Sequence, residues 1–169
     1  IIIVYIIVKH RKNQEYNKTK TIDALTGIGN SNYFESCYLH HISDAVRSLY
    51  YAVYIAIDIE KIETYFGLSE SEELQRYAAD TITRSLNDND FVSRIDNGVF
   101  AGCFMCPNTE SAIEMVTELV NNLNCYDQNF AIDSGVVFRG GIYQLDKQNL
   151  PVETVIYNAR QGYLWALNE

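Results

Sequence analysis

Tyr51 to Ile57 is an unbroken run of apolar, aromatic and β-branched residues that ends at Asp58. A strand that is apolar on both faces must be covered on both faces, so the run predicts a central strand between helical layers. The flanking patterns supply those layers. Between Asn32 and Tyr50, Phe34, Cys37, Tyr38, Ile42, Ala45, Val46 and Leu49 recur at helical spacing. Residues 60–86 read as largely helical, with Leu74, Tyr77, Ala78 and Ile82 on one face and a break after Gly67. Phe91 to Phe104 reads as a hairpin around Asp96-Asn97-Gly98, because Asn-Gly is the strongest short-range signal for a type I′ turn. A third helix follows Pro107, with Ile113, Val116, Leu119, Val120 and Leu123 as its stripe. Ile132 to Phe138 reads as a strand and Arg139-Gly140-Gly141 as a bend, with Ile142-Tyr143 extending it. Pro151 opens a last helix with Val152, Val155, Ile156 and Ala159 inward. The order helix, strand, helix, hairpin, helix, strand, helix predicts an α/β sandwich with an antiparallel hairpin inside the sheet.

A chain of 169 residues, 47% of them hydrophobic, suits one domain with a short leader. Its net charge of −9 argues against a broad nucleic-acid footprint, which needs a basic patch. Cys103 and Cys106 have C-x-x-C spacing, but no second ligand pair accompanies them, and they read as core thiols beside Cys37 and Cys125. His10, His40 and His41 form no ligand spacing. Ile1 to Val8 is uniformly apolar and runs straight into Lys9-His10-Arg11-Lys12. Alone it falls short of the ~20 residues that span a bilayer. It reads as the last turns of a transmembrane helix with its basic cluster on the cytoplasmic side, the alternative being the buried start of a strand or helix. Asn13 to Thr21 suits a helical linker.

Several pieces then fall in one order. Asp23, Leu25, Thr26, Gly27, Asn30 and Phe34 match D-x-L-T-G-x-x-N and its following Phe; Asp58-Ile59-Glu60 matches D-x-D with one conservative change; Arg94 and Phe100 bracket a five-residue signature loop; Gly141-Ile142 matches a late S-x-G-I/V strand; Tyr157-Asn158-Ala159-Arg160 is similar to a closing A-x-Y-x-A-K. Together they cover most of residues 23–163 and resemble a GGDEF domain, of the nucleotidyl-cyclase, ferredoxin-like fold class: a mostly antiparallel sheet flanked by helices, with a β-hairpin at the signature loop. The expected division is 1–22 for the membrane segment and linker and 23–169 for the GGDEF-like domain.

The resemblance implies chemistry as well as fold. Active members are diguanylate cyclases, in which two facing domains each hold a GTP and close two phosphodiester bonds to make cyclic di-GMP. Divalent metal must neutralise the triphosphates and activate the attacking hydroxyl, held by the first Asp of D-x-D and by an acid of the loop. Transferred by position, Asp58 keeps the strand carboxylate. The metal-binding acid becomes Gly98, the next acid Val99, and the two glycines Asp96 and Asn97. Each missing electrostatic stabiliser costs on the order of 10²-fold in rate. The guanine-reading stretch is shortened to Lys61 through Gly67 with no Asn, its G-D partner reads Ser71 or Glu72, and the phosphate-touching Lys becomes Arg160. The inhibitory R-x-x-D reads Asn87-Asp88-Asn89-Asp90, without its arginine.

The expectation is therefore a catalytically degenerate GGDEF domain relaying signals in cyclic di-GMP signalling. It would sit on the cytoplasmic face of a bacterial membrane, anchored through its N-terminal segment. Two alternatives stay open, an active cyclase and a GTP-binding module without turnover. The vestigial site would comprise Asp96, Asn97, Gly98, Val99 and Phe100, with Asp58, Asn97, Gly98 and Arg160 toward nucleotide and Asp58 with Glu60 toward metal. No cofactor is expected beyond Mg²⁺ with GTP if binding is retained. The partners implied are an upstream sensor, a downstream cyclic di-GMP phosphodiesterase domain and a second copy in a homodimer; nucleic acid is not among them.

Overall fold

The computed structural model describes residues 20–126, 135–145 and 149–167, excepting the side chains of 163–167. The apolar leader and most of the linker lie outside these residues, as do 132–134 of the expected strand. Four antiparallel strands lie in the order β2-β3-β1-β4: β1 is Tyr50–Ala56, β2 Phe91–Asp96, β3 Val99–Met105 and β4 Arg139–Gln144. Every residue of β1 is buried, as a run apolar on both faces demands. Val53 and Ile55 point into a core shared with α2 (Ile59–Phe66), α3 (Leu68–Arg84) and α4 (Thr109–Leu123). Ala52, Tyr54 and Ala56 point the other way, into a core shared with α1 (Ser31–His40) and α5 (Val152–Leu167).

Three sequence expectations are corrected. The first helix stops at His40, and Arg47–Leu49 forms only a 3₁₀ turn. The Val46 N–H closes a turn on Ser43 O, and the buried Arg47 donates back to the Ile42 carbonyl at 3.3 Å, so Ile42 lies in a loop and Leu49 ends the 3₁₀ turn. On α4 the inward residues are Ala112, Val116, Leu119 and Leu123, while Ile113 is exposed. The last strand is Arg139–Gln144 itself, in register with β1 from Ala56 opposite Arg139 to Tyr51 opposite Gln144, while 135–138 is not strand.

That third correction has a packing cause. A Cβ on Gly140 would lie 2.9 Å from Val116 Cγ1 and 3.0 Å from Val120 Cγ2 of α4. On α5, a Cβ at Gly162 would come within 3.4 Å of the Gly141 Cα. The glycines of 139–141 let helices on both sides touch the strand; they do not bend it. Gly140→Ala should therefore lower stability by about 1–3 kcal/mol, read from urea unfolding, with unchanged secondary structure by circular dichroism.

Candidate functional site

The turn before α1 is built by its own motif. The Asp23 Oδ1 accepts hydrogen bonds from the Thr26 N–H (2.9 Å) and hydroxyl (2.6 Å), Gly27 takes the left-handed φ of 75°, and Asp23 N–H closes the turn on Ile28 O at 2.8 Å. Asn30 then caps α1, its side chain accepting from the N–H groups of Asn32 and Tyr33. The turn is stitched to β2 where Arg94 N–H donates to Gly29 O at 2.8 Å.

Arg94 spends its guanidinium on three partners. Nη1 donates to Asp23 Oδ2 at 2.9 Å, Nε to Gln75 Oε1 at 2.8 Å and Nη2 to Asn97 Oδ1 at 3.0 Å. Arg94 and Asp23 are only 15% and 14% exposed, so this is a largely desolvated pair. Burial pushes the Asp23 carboxyl up, but the hydrogen bonds from Thr26 and Arg94 and the arginine's charge outweigh it and hold the group below its ordinary pKa. Sequence reasoning missed Gln75. It is buried on α3, accepts from both Arg94 and the Gly98 N–H (2.9 Å), and donates to Ser71 O at 3.3 Å. Its signal was available: Ser71 and Gln75 are polar residues four apart, next to the apolar stripe of Leu74 and Ala78.

The hairpin tip differs from the expected mirror-image turn. Asn97 keeps a negative φ, Gly98 alone is left-handed at 70°, and the register slips between Arg94 and Asp96. Tertiary partners select this geometry: Arg94 holds the Asn97 side chain, Gln75 holds the Gly98 N–H, and the Ile57 N–H donates to Gly98 O at 3.0 Å. Gly98 is pressed against the segment that follows β1. A Cβ there would lie 2.7 Å from the Ile57 carbonyl oxygen and closer still to Ile59 Cγ1. Asp96 is exposed, its Oδ1 accepting the Asn97 N–H, while Val99 packs in the α1–α5 core and Phe100 in the opposite one.

Asp58 and Glu60, expected to lie together toward metal, do not share a strand face, because β1 ends at Ala56. Asp58 is exposed and caps α2, its Oδ1 accepting the Lys61 N–H at 3.0 Å, and Glu60 is exposed in the first helical turn. Positions two apart on a helix do not face each other. Among the described residues no three His, Cys, Asp or Glu side chains are grouped to hold a metal ion. Cys103 and Cys106 sit in different clusters, and burial pushes both thiols up. Arg160 is exposed on α5, and no hydrogen bond or ion pair joins it to the hairpin. At the loop replacing R-x-x-D, Asp90 is used structurally, accepting from Asn87 N–H at 2.9 Å and Met105 N–H at 2.8 Å.

The α2–α3 corner is strongly anionic. Residues 58–73 hold Asp58, Glu60, Glu63, Glu70, Glu72 and Glu73 against the single Lys61, a net −5 of the chain's −9. All six carboxylate residues are exposed or half-buried.

The Arg94–Asp23 pair makes two measurable demands. Arg94→Met leaves a desolvated carboxylate without its cation and should cost about 3 kcal/mol at neutral pH. A carboxyl held below its unfolded pKa of about 3.9 stabilises the fold above that pH, and the benefit is lost as pH falls through the folded value. The stability gap between wild type and Arg94→Met, followed by urea unfolding, should therefore narrow as pH falls from about 5 to about 2.

Comparison with known proteins places these features. The family model described as "Diguanylate cyclase, GGDEF domain" matches residues 20–166. No protein of curated function matches by sequence. The coiled coil and GGDEF domain of DgcB from Caulobacter crescentus, solved with c-di-GMP, superposes with a TM-score of 0.83 at 14% identity, over 98% of this chain and 90% of that one. The FimX GGDEF domain from Pseudomonas aeruginosa gives 0.71 at 19% identity, over 88% and 94%. The S helix-GGDEF-EAL portion of Vibrio cholerae LapD, bound to c-di-GMP, gives 0.77 at 12% identity, over 97% of this chain but 38% of that longer one. The match over nearly the whole chain and the motif-built turn before α1 lead to one conclusion: this protein belongs to the GGDEF domain family.

Proposed function

We propose that this chain is a GGDEF module that relays a signal within cyclic di-GMP signalling without joining GTP. The observation that carries the reading is Gly98. It stands where the family's loop supplies its metal-binding acid, yet its left-handed backbone is wedged against Ile57 O and Ile59. The rest of the tip is held too, through Arg94, Asn97 and Gln75. Restoring an acid would therefore require rebuilding the turn.

The residues present do not fit a magnesium–triphosphate site. Asp58 spends one oxygen on capping α2, Glu60 lies round the helix from it, and the tip's one carboxylate, Asp96, accepts the Asn97 N–H. The net −5 around the corner adds to the mismatch.

The module's setting is part of the proposal. Ile1 to Val8 followed by Lys9-His10-Arg11-Lys12 supports a membrane anchor with the domain on the cytoplasmic side. Relatives in which a GGDEF domain is joined to a coiled coil or to an EAL domain support a multidomain setting with a sensor upstream and an effector downstream.

The test is direct. The protein incubated with GTP and Mg²⁺ should show no cyclic di-GMP by chromatography, under conditions where an active cyclase does; a product peak sinks the proposal. Gly98→Glu should stay inactive and lose about 1–3 kcal/mol in urea unfolding, because it adds overlap and backbone strain together.

A further inference from the structure

We infer that the α2–α3 corner is a docking face for a cationic amphipathic helix of another polypeptide or domain. The inference rests on the non-cyclising reading above, which leaves the corner free of nucleotide. Among the described residues, Leu68 is the most exposed large hydrophobic side chain at 63%, and Tyr65 is 57% exposed. They flank Gly67, whose left-handed φ of 86° ends α2 and starts α3. The neighbouring Phe66 is anchored, packing on the α2–α4 core, and its ring lies 6.2 Å from that of Tyr65. Two apolar knobs are thus presented on a braced corner.

Isolated exposed apolar residues are common and need no explanation. This pair differs in its surroundings. The two helices that meet here carry six carboxylates and one lysine over residues 58–73, and Arg76 follows, paired with Glu72. Some are already engaged: Glu63 accepts from Ser71, Glu70 from Tyr126, and Glu72 pairs with Arg76. Charge decides the occupant. A second copy of this chain brings the same −5, and a phosphate-bearing ligand or anionic bilayer is likewise repelled. A helix with apolar residues on one stripe and Lys or Arg along its edges meets both features, filling the knobs with area and the rim with complementary charge.

The probe is a synthetic Leu/Lys amphipathic helix, fluorescently labelled, titrated with the full 169-residue chain and followed by anisotropy. The inference expects saturable binding that weakens with salt, and none for a Leu/Glu twin. The Tyr65→Ser/Leu68→Ser double variant keeps every charge and should weaken binding by about tenfold or more. The control is Ile113→Ser on α4, where another exposed apolar residue is flanked by Glu110 and Glu114; it should change affinity by less than about twofold. Absent binding, or equal effects of the two variants, overturns the inference and leaves the non-cyclising reading standing. Displacement of the probe by GTP with Mg²⁺ overturns both.

Discussion

Arg94 is the interaction on which the rest of this structure depends. One planar group, presented from the end of β2, reaches Asp23 in the turn before α1, Gln75 on α3 and Asn97 at the hairpin tip. Those partners are separated by long stretches of chain, so the fork converts three independent segments into one assembly. Arginine suits the task because its donors point in fixed, divergent directions from a rigid plane. The cost of desolvating it is offset by a carboxylate and by hydrogen bonds on each donor-bearing edge. A lysine would present a point charge and leave the amides of Gln75 and Asn97 without a shared donor.

The same network ties the signature hairpin to the rest of the fold. Gln75 links Arg94 to the Gly98 amide, and Ile57 links Gly98 to the end of β1. The tip is thereby packed onto the strand end where nucleotide chemistry would take place in a cyclase. Glycine is required there for lack of room as much as for its φ. The substitutions in the loop thus form one consistent alternative turn. The corner beside it is acidic and carries the exposed Tyr65 and Leu68.

The layered fold was largely legible in the sequence. Tyr51–Ile57 announced a strand buried on both sides, and the helical stripes on either side of it announced the layers. The D-x-L-T-G-x-x-N segment, legible as a motif, forms a turn whose bonds are nearly all local: Asp23 to Thr26, Gly27 at positive φ, and Asn30 as helix cap. Periodicity and capping act over a few residues, so a linear reading finds them. It also located the hairpin and the helix break at Gly67.

What the sequence by itself determined was the order of elements, the two-faced burial of β1 and the family's frame. What only the tertiary structure decided were features whose partners lie far along the chain. The turn type at Asn97-Gly98 was set by Arg94, Gln75 and Ile57, and β4 ran through two glycines because α4 and α5 press on it from both sides. Asp58 became a helix cap because β1 stopped at Ala56, and Gln75 became a hub because α3 buried it beside Arg94. The reason is physical: a pattern encodes which face a residue prefers, whereas hydrogen bonds and steric contacts between distant segments exist only once packing has brought them within a few ångströms.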